Sequence, residues 1–442
     1  MIFTSIVFIK MHTALFWFRR DLRFDDNVGL FQALKCGLPV LPVFIFDTDI
    51  LQQLPEKQDK RVELIHQRLS FLHTELQKYG SGLFVKYGRP HEILPELCEQ
   101  YDVTQLFCNE DYEPQAIARD NEIMKIVATK SVAFYSFKDQ VVFAKNDVLK
   151  PDGKPYTIFT PYSNKWKSHL SENPIKTFNS ESLLDNLYKS NSFSMPSLAN
   201  IGFEATGVSW NSPDLSTDVL INYPETRNFP AVENGTSHLS VHLRFGTVSV
   251  RKMVQLALKT NEQFLNELIW REFFMMILYH FPAVVRQSFK HKYDEIKWRN
   301  NETEFAKWCE GKTGYPLVDA GMRELNATGL MHNRVRMVVA SFLVKHLLVD
   351  WRWGEAYFAQ KLLDYDLSAN NGNWQWAAGC GCDAAPYFRV FNPTEQVKKF
   401  DSNLKYIRRW VPEIDQLTYP APIVEHAFAR NRVLEVFKKA LG

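Results

Sequence analysis

Cysteine is scarce in this sequence, with six residues in 442. The six are scattered, and the closest pair, Cys380 and Cys382, has no second pair at the spacing of a zinc site. Scattered cysteines in a long chain are typical of reduced thiols in the cytoplasm. We therefore expect a cytoplasmic protein with neither a disulfide framework nor a metal centre.

Long apolar runs and one glycine motif are missing as well. The apolar start MIFTSIVFIKMHTALFWF is interrupted by Lys10 and His12, so it predicts neither a membrane span nor a signal peptide. Met1 and Met11 are both candidate native starts. No G-x-G-x-x-G motif follows the first predicted strand, which excludes the usual dinucleotide fingerprint there.

The length and charge of the chain indicate two parts. A chain of 442 residues with 45% apolar residues is too long for one core and favours two domains, or one domain with a large insertion. The net charge is −4 over residues 1–250 and +6 over residues 251–442. A basic second half favours a polyanionic partner, although a solvated surface explains the asymmetry equally well.

The hydrophobic periodicity predicts an α/β domain followed by an all-α domain. Over residues 1–135, short β-rich runs (ALFWF, LPVLPVFIF, GLFVKYG, TQLFCN, VAFYSF) alternate with three helical segments (DNVGLFQALKCG, KRVELIHQRLSFLHTELQKYG, PHEILPELCEQY). This alternation indicates a Rossmann-like parallel sheet. Residues 136–205 lose this periodicity and predict a long surface linker. Residues 206–442 carry apolar residues almost only at helical spacing.

Three segments concentrate polar and aromatic side chains. In NELIWRE, helical spacing places Glu267, Trp270 and Arg271 on one face, although an exposed Glu/Arg pair beside a core tryptophan has the same pattern. In MHNRVRM, Asn333, Arg336 and Met337 share a face and Arg334 points elsewhere.

An arginine that interrupts an apolar helix needs a partner, and Asp364 is a candidate for Arg336. Such a pair fits either an ordinary buried ion pair or the edge of a cofactor site. In the third segment, DLSANNGNWQW, an extended backbone would send Trp374 and Trp376 to opposite faces.

Long runs of the chain resemble the photolyase and cryptochrome family. They include LFWFRRDLRFDDNVGLFQAL, NGTSHLSVHLRFGTVS, NELIWREFF, WCEGKTGYPLVDAGMRELNATGLMHNRVRM, DLSANNGNWQWAAG and DAAPYFRVFNP. The second half is similar to class I cyclobutane pyrimidine dimer photolyases. The resemblance implies a light-driven DNA-repair enzyme, a deoxyribodipyrimidine photo-lyase, whose C-terminal helical domain binds FAD.

The resemblance also implies which residues hold FAD. Arg336 and Asp364 would lie against the isoalloxazine, Asp366 near the ribityl chain or the ring edge, and Asn370 opposite the reactive ring nitrogen. Asn370 favours repair, because light-sensing relatives often carry Asp or Cys at that position. The remaining predicted contacts, to the diphosphate, ribityl or ring, are Tyr223, Thr236, Ser237, His238, Leu239, Ser240 and Tyr365, with His238 standing where many relatives carry Arg.

Electron transfer and lesion binding are implied in the same way. Trp374, Trp351 and Trp298 match a chain of rings that lets light reduce oxidised FAD, a role in activation and not in repair itself. Glu267 is expected to stabilise the electron-rich dimer. The expected contacts to ultraviolet-damaged DNA are Trp270, Trp376, Arg271, Asn333, Met337, Arg227, Arg334 and Arg389.

Two further groups of residues bear on the lesion that is repaired and on a second, light-harvesting chromophore. Photolyases for the (6-4) lesion carry two histidines where this chain has Asn333 and Met337, which favours cyclobutane dimers. Gln115, Ala116 and Arg286 depart from the folate-binding pattern, so methenyltetrahydrofolate, a deazaflavin, another flavin or no second chromophore all stay open. We expect a monomer without an obligate protein partner. Two other functions stay open as alternatives to dimer repair: a cryptochrome-type photosensor and a DASH-like single-strand photolyase.

Overall fold

The computed structural model describes residues 12–211, 213 and 215–442. Met1 to Met11, with the alternative start, lie outside the described residues. The chain divides into two compact units. The first comprises Met1–Val142, Ile175–Asn211 and Phe245–Met253, and the second comprises Phe143–Pro174, Ser212–Arg244 and Val254–Gly442.

The first unit is built on a five-stranded parallel sheet in the order β3-β2-β1-β4-β5. The central strands β1 and β2 are buried along their whole length, as expected when helices cover both faces of a parallel sheet. All five predicted strands are confirmed, at Thr13–Phe18, Val40–Asp47, Phe84–Gly88, Val103–Asn109 and Ala133–Phe137 for β1 to β5.

Helices alternate with these strands. The three predicted helical segments form helices, and the structure adds two that periodicity did not predict, α2 and α5. The five are α1 Val28–Leu34, α2 Thr48–Leu51, α3 Lys60–Gln77, α4 Pro90–Gln100 and α5 Pro114–Ala128. Proline occupies the first turn of both α4 and α5, where its missing N–H costs no hydrogen bond.

The second unit is helical, as predicted for the C-terminal domain. Its helices are α6 Phe159–Glu172, α7 Thr217–Thr226, α8 Ser240–Phe245, α9 Val250–Thr260, α10 Glu262–His280, α11 Glu302–Glu310, α12 Pro316–Thr328, α13 Asn333–Ser341, α14 Trp351–Lys361, α15 Leu367–Ala378, α16 Pro393–Phe400, α17 Lys405–Trp410 and α18 His426–Leu441. Helices α8 and α9 each include residues that are assigned to the first unit. A π-helical segment, Phe342–Leu347, continues α13. No helix among the described residues is long and apolar enough to cross a membrane.

The compact units do not follow the predicted linker boundaries. Residues 136–205 are shared between both units and include helix α6, whose Tyr162 and Trp166 are each 1% exposed. The Trp166 indole donates to Glu272 of α10 at 2.6 Å, and the Phe143 amide donates to the same carboxylate at 2.9 Å. This stretch is therefore core structure in part, since packing against α10 orders a segment whose own periodicity is weak.

Helix α18 packs on the π-helical segment through two histidines. His346 is fully buried, and its Nε2 lies 2.8 Å from Nδ1 of His426. Burial lowers the pKa of His346 to about 3, with the charges of His426 and Arg432 acting in the same direction. The native state thus binds fewer protons than the unfolded state between about pH 3 and 6.5, so stability falls as the pH drops through this window.

We expect His346→Phe to remove part of this acid sensitivity. The linkage amounts to about 2 kcal/mol between pH 7 and pH 5. The melting temperature, followed by circular dichroism, should therefore fall less between these pH values in the variant than in the parent protein. His291→Phe, at a largely exposed histidine, is the control and should keep the parental slope. Equal slopes for all three proteins would contradict a neutral buried His346.

Candidate functional site

A cavity of about 110 Å³ lies in the second unit, between α13, α14 and α15. It brings together nine residues that the sequence singled out: Asn333, Arg336, Met337, Asp364, Tyr365, Asp366, Asn370, Trp374 and Trp376. The other lining residues, which the sequence did not indicate, are Ala340, Phe358, Leu362, Ala369, Asn373 and Ala377. The cavity therefore combines apolar walls with a few polar groups, the usual composition of a cofactor site.

Helix α13 presents the predicted face to this cavity. His332 caps the helix, its ring nitrogen Nδ1 accepting from the Arg334 amide at 3.2 Å. Asn333, Arg336 and Met337 line the cavity, which confirms their shared face. Arg334 instead donates to Asn228 at 2.7 Å, and its guanidinium lies 4.4 Å from the centre of the Phe400 ring.

The predicted pair of Arg336 and Asp364 is confirmed. Arg336 donates to Asp364 Oδ2 at 2.8 Å and to the Met331 carbonyl at 2.7 Å, which fixes the guanidinium. Asp364 Oδ1 is buried and has no hydrogen-bond partner. A buried carboxylate oxygen without a donor is costly, so this oxygen fits a ligand that brings an N–H group, as a flavin ring does.

Helix α15 supplies the opposite wall. Asp366 caps it by accepting from the Ser368 and Ala369 amides at 3.1 and 3.2 Å. At the other end, the buried Lys345 donates to the carbonyl of Ala378, the last residue of the helix, at 2.9 Å. Burial lowers the pKa of Lys345 to about 7. Both ends of the helix are thus held by side chains, which fixes the residues between them.

Asn370 is anchored by a residue that the sequence did not indicate. Its Nδ2 donates to the side chain of Glu355 at 2.8 Å and to the Glu355 carbonyl at 3.1 Å. Both amide hydrogens are therefore used, and the amide oxygen is the atom available to a ligand. Burial raises the pKa of Glu355. Glu355 belongs to α14, so no local spacing in the sequence links it to Asn370.

The tryptophans of the predicted electron-transfer chain share one core. Trp374 and Trp351 are 2% and 1% exposed members of this core, and Trp298 packs against it half-buried. The Trp374 ring contacts Phe358 and Trp308, with centroids 5.0 and 6.2 Å away, and Trp298 contacts Phe437 at 5.9 Å. The hypothesis of an extended NWQW segment is wrong, because α15 is helical through Ala378.

Gly354 makes room for Trp374, which gives a prediction. A Cβ at Gly354 would lie 2.1 Å from a Trp374 ring carbon, closer than any real contact. We expect Gly354→Ala to displace the indole, to cost about 2 kcal/mol of stability through overpacking, and to slow photoreduction of bound flavin. Melting temperature and flavin absorbance under light measure both effects. Gly153→Ala, where a Cβ meets nothing within 4 Å but φ is +78°, carries the backbone cost of losing a glycine without touching Trp374, and should leave photoreduction unchanged. Unchanged photoreduction would contradict the link between packing and electron transfer.

Helix α10 carries the residues expected at the lesion. Glu267 forms an ion pair with Arg227, which follows α7, and accepts from Gln263 at 2.9 Å. Trp270 stacks on Phe159, the first residue of α6, with ring centroids 3.7 Å apart and planes within 4°. Arg271 donates to the Leu243 carbonyl at 3.4 Å. Phe159 was not indicated by the sequence, because it lies in the predicted linker.

The remaining predicted residues have the following positions. Tyr223 on α7 contacts Phe264 at 5.5 Å, and burial raises its pKa. Residues 236–240 lead into α8; Ser237 and Leu239 are buried, whereas His238 is exposed and has a left-handed backbone with φ of 50°. Arg389 is exposed beside the Phe391 ring. No group of three or more potential metal ligands exists in the part of the chain that the structure describes.

A parallel α/β unit and a helical unit that holds an apolar cavity with a few polar groups define a two-part protein with a cofactor site. The chain belongs to the DNA photolyase family: residues 14–180 match "DNA photolyase" and residues 264–418 match "FAD binding domain of DNA photolyase". These matches confirm the predicted family, its FAD cofactor and light-driven DNA repair.

Individual relatives agree with this assignment. A deoxyribodipyrimidine photo-lyase of Escherichia coli is 37% identical, and the match covers 97% of this chain and 99% of that protein. A bacterial class III photolyase from Agrobacterium tumefaciens superimposes with a TM-score of 0.86 at 31% identity, covering 99% of both chains. An archaeal photolyase from Sulfolobus tokodaii, solved with two FAD molecules, gives 0.80 at 35% identity, covering 97% of this chain and 100% of that one.

Proposed function

We propose that this protein is a deoxyribodipyrimidine photo-lyase that repairs cyclobutane pyrimidine dimers. The observation that carries the lesion type is the pair Asn333 and Met337 on the cavity wall. Neither side chain can act as an acid near neutral pH, whereas the (6-4) lesion is expected to need proton transfer from histidine. Cyclobutane dimers need an electron and no protein proton. Membership of class I rests on sequence resemblance alone.

Bound FAD, in its reduced form, supplies on excitation the electron that opens the dimer. The protein residues hold and orient this cofactor. Asp364 Oδ1 would accept an N–H of the ring, and Arg336 holds that carboxylate in place through the 2.8 Å hydrogen bond to Oδ2. The Asn370 oxygen would face the reactive edge of the ring. Residues 223, 236–240, 365 and 366 are proposed to hold the rest of the cofactor.

The lesion is proposed to meet the cavity at Trp376, with Trp270 as the second aromatic wall. A dimer already weakens stacking and pairing, so extruding it costs less than extruding sound bases. Glu267 is proposed to hydrogen-bond the dimer. Glu267 pairs with Arg227, and we propose that Arg227 exchanges this contact for a DNA phosphate when the lesion binds. Arg271, Arg334 and Arg389 add positive charge along the same path.

The state of activation and the accessory chromophore are further proposals. Trp374, Trp351 and Trp298 are proposed to pass electrons to oxidised FAD. A second, light-harvesting chromophore is supported by the description of the Sulfolobus tokodaii relative, whose second FAD is said to imply a novel light-harvesting cofactor. We propose a monomer located in the cytoplasm, acting on ultraviolet-damaged DNA without another protein.

A lesion-specific repair assay tests the proposal. Chemically reduced holoenzyme is mixed with duplexes carrying one cyclobutane thymine dimer or one (6-4) photoproduct, and illuminated with blue light. We expect the dimer to be restored and the (6-4) product to remain, as measured by chromatography of the strands. A single-stranded substrate distinguishes the DASH-like alternative. Lack of dimer repair, with reduced FAD bound, would refute the proposed function.

A further inference from the structure

Helix α6 contributes an aromatic ring to the lesion wall. Phe159 and Trp270 are stacked face to face, with centroids 3.7 Å apart and an interplanar angle of 4°. Trp270 also contacts Phe273, nearly perpendicular to it, at 5.6 Å and Phe274, tilted by 31°, at 5.4 Å. Phe159 therefore covers one face of the indole, and two further rings pack against it.

The position of Phe159 is fixed by a hydrogen bond from its own backbone N–H and by contacts of the residues that follow it on α6. Its backbone N–H donates to Asp383 Oδ2 at 3.0 Å, and Asp383 lies in the loop that follows α15. One turn further along α6, the buried Tyr162 contacts Phe273 at 5.2 Å. Behind it, the Trp166 indole donates to the buried Glu272 at 2.6 Å. Helix α6 is thus fixed along α10 and cannot rotate Phe159 away from Trp270 without breaking these contacts.

The same packing connects helix α10, which carries Trp270, with helix α15, which lines the cavity. Gly372 on α15 approaches Phe274 so closely that a Cβ there would lie 2.2 Å from the ring. Phe274 in turn contacts Trp270. Phe159, Trp270 and Phe274 therefore form a continuous series of ring contacts that ends against the helix carrying Asn370 and Trp376.

We propose that Phe159 is a positioning residue for Trp270, which fixes the plane of the indole so that only its other side receives the extruded dimer. A fixed ring avoids the entropy cost of ordering a side chain on binding. Phe159 therefore sets the preference for damaged over undamaged DNA, and does not touch the electron-transfer step. This inference rests on the proposed function, since it assigns a role in lesion recognition.

The test is a double-mutant cycle on the FAD-containing protein in the dark. Dissociation constants are measured for a duplex with one cyclobutane dimer and for the same duplex undamaged. We expect Phe159→Leu to weaken binding of the damaged duplex by about tenfold, the worth of one aromatic stack, with no change for the undamaged duplex. Phe159→Tyr keeps an aromatic ring and should bind the damaged duplex with the parental dissociation constant. In a Trp270→Phe background, Phe159→Leu should have much less effect.

Controls separate this role from folding and from failure of the proposed function. Phe143→Leu removes an aromatic ring that contacts Trp166 of the same helix at 5.2 Å, and should leave lesion affinity unchanged. Parental flavin content and melting temperature show that Phe159→Leu is folded, and Phe159→Met, which also lacks the ring, replaces it in the cycle if the leucine variant fails to fold. A full effect of Phe159→Leu in the Trp270→Phe background would overturn the inference. A parent protein that does not discriminate damaged DNA would instead refute the proposed function.

Discussion

Arg336→Leu is expected to lose FAD on purification and to lower the free energy of unfolding by about 3 kcal/mol. The reason is the environment of Asp364, whose side chain is only 4% exposed. Without Arg336, both carboxylate oxygens would be buried without a donor from the protein. Flavin absorbance relative to protein measures the first effect, and thermal unfolding measures the second.

Two further variants define the cause of this loss. The double variant Arg336→Leu/Asp364→Asn removes the uncompensated charge and should regain part of the stability. Arg334→Leu, two residues away on the same helix but directed to Asn228, should keep FAD while weakening DNA binding. Full FAD content in Arg336→Leu would contradict the assignment of this ion pair to the cofactor site.

Trp374→Phe is expected to abolish light-driven reduction of oxidised FAD almost completely. Trp374 is the tryptophan that lines the cavity and is at the same time buried in the core, so it is the first ring available to pass an electron inward. A phenyl ring fills most of the space but is far harder to oxidise than indole. The measurement is the flavin absorbance of holoenzyme under blue light with an external reductant.

Repair distinguishes electron transfer from structure in this variant. Chemically reduced Trp374→Phe should still repair dimers, because the proposed role of the tryptophan chain is in activation and not in repair. Trp410→Phe, at a half-buried ring on α17 away from the cavity lining, should photoreduce normally. If Trp374→Phe lost both photoreduction and repair, its ring would have a structural role in the site.

Much of the site geometry was predictable because it depends on helical spacing. Asn333, Arg336 and Met337 share a face through local periodicity, and Arg336 required a partner that Asp364 supplies. The five strands were equally local, as each is a short β-rich run between helical segments. Residues 367–378 were harder, since Asn, Gly and Trp are weak helix formers and the helix depends on the Asp366 cap and on close packing of Gly372 against Phe274.

The contacts that position Asn370 and Trp270 could not be predicted from the sequence. Glu355 holds Asn370 and Phe159 holds Trp270, and both pairs come from helices that meet only in the folded chain. Helix α6 was not predicted either, because it also depends on contacts with a helix that is distant in the sequence. Its sequence has the composition of a linker, and its order comes from burying Tyr162 and Trp166 against α10.

In the proposed mechanism, one cavity places the flavin beside an extruded dimer. The most direct measurement is a crystal structure of the reduced holoenzyme with a duplex carrying a single cyclobutane thymine dimer. We expect the flavin ring against Asp364 and Asn370, with the dimer outside the DNA helix between Trp376 and Trp270. A dimer still stacked within the duplex, or a flavin bound away from Asp364, would contradict this mechanism.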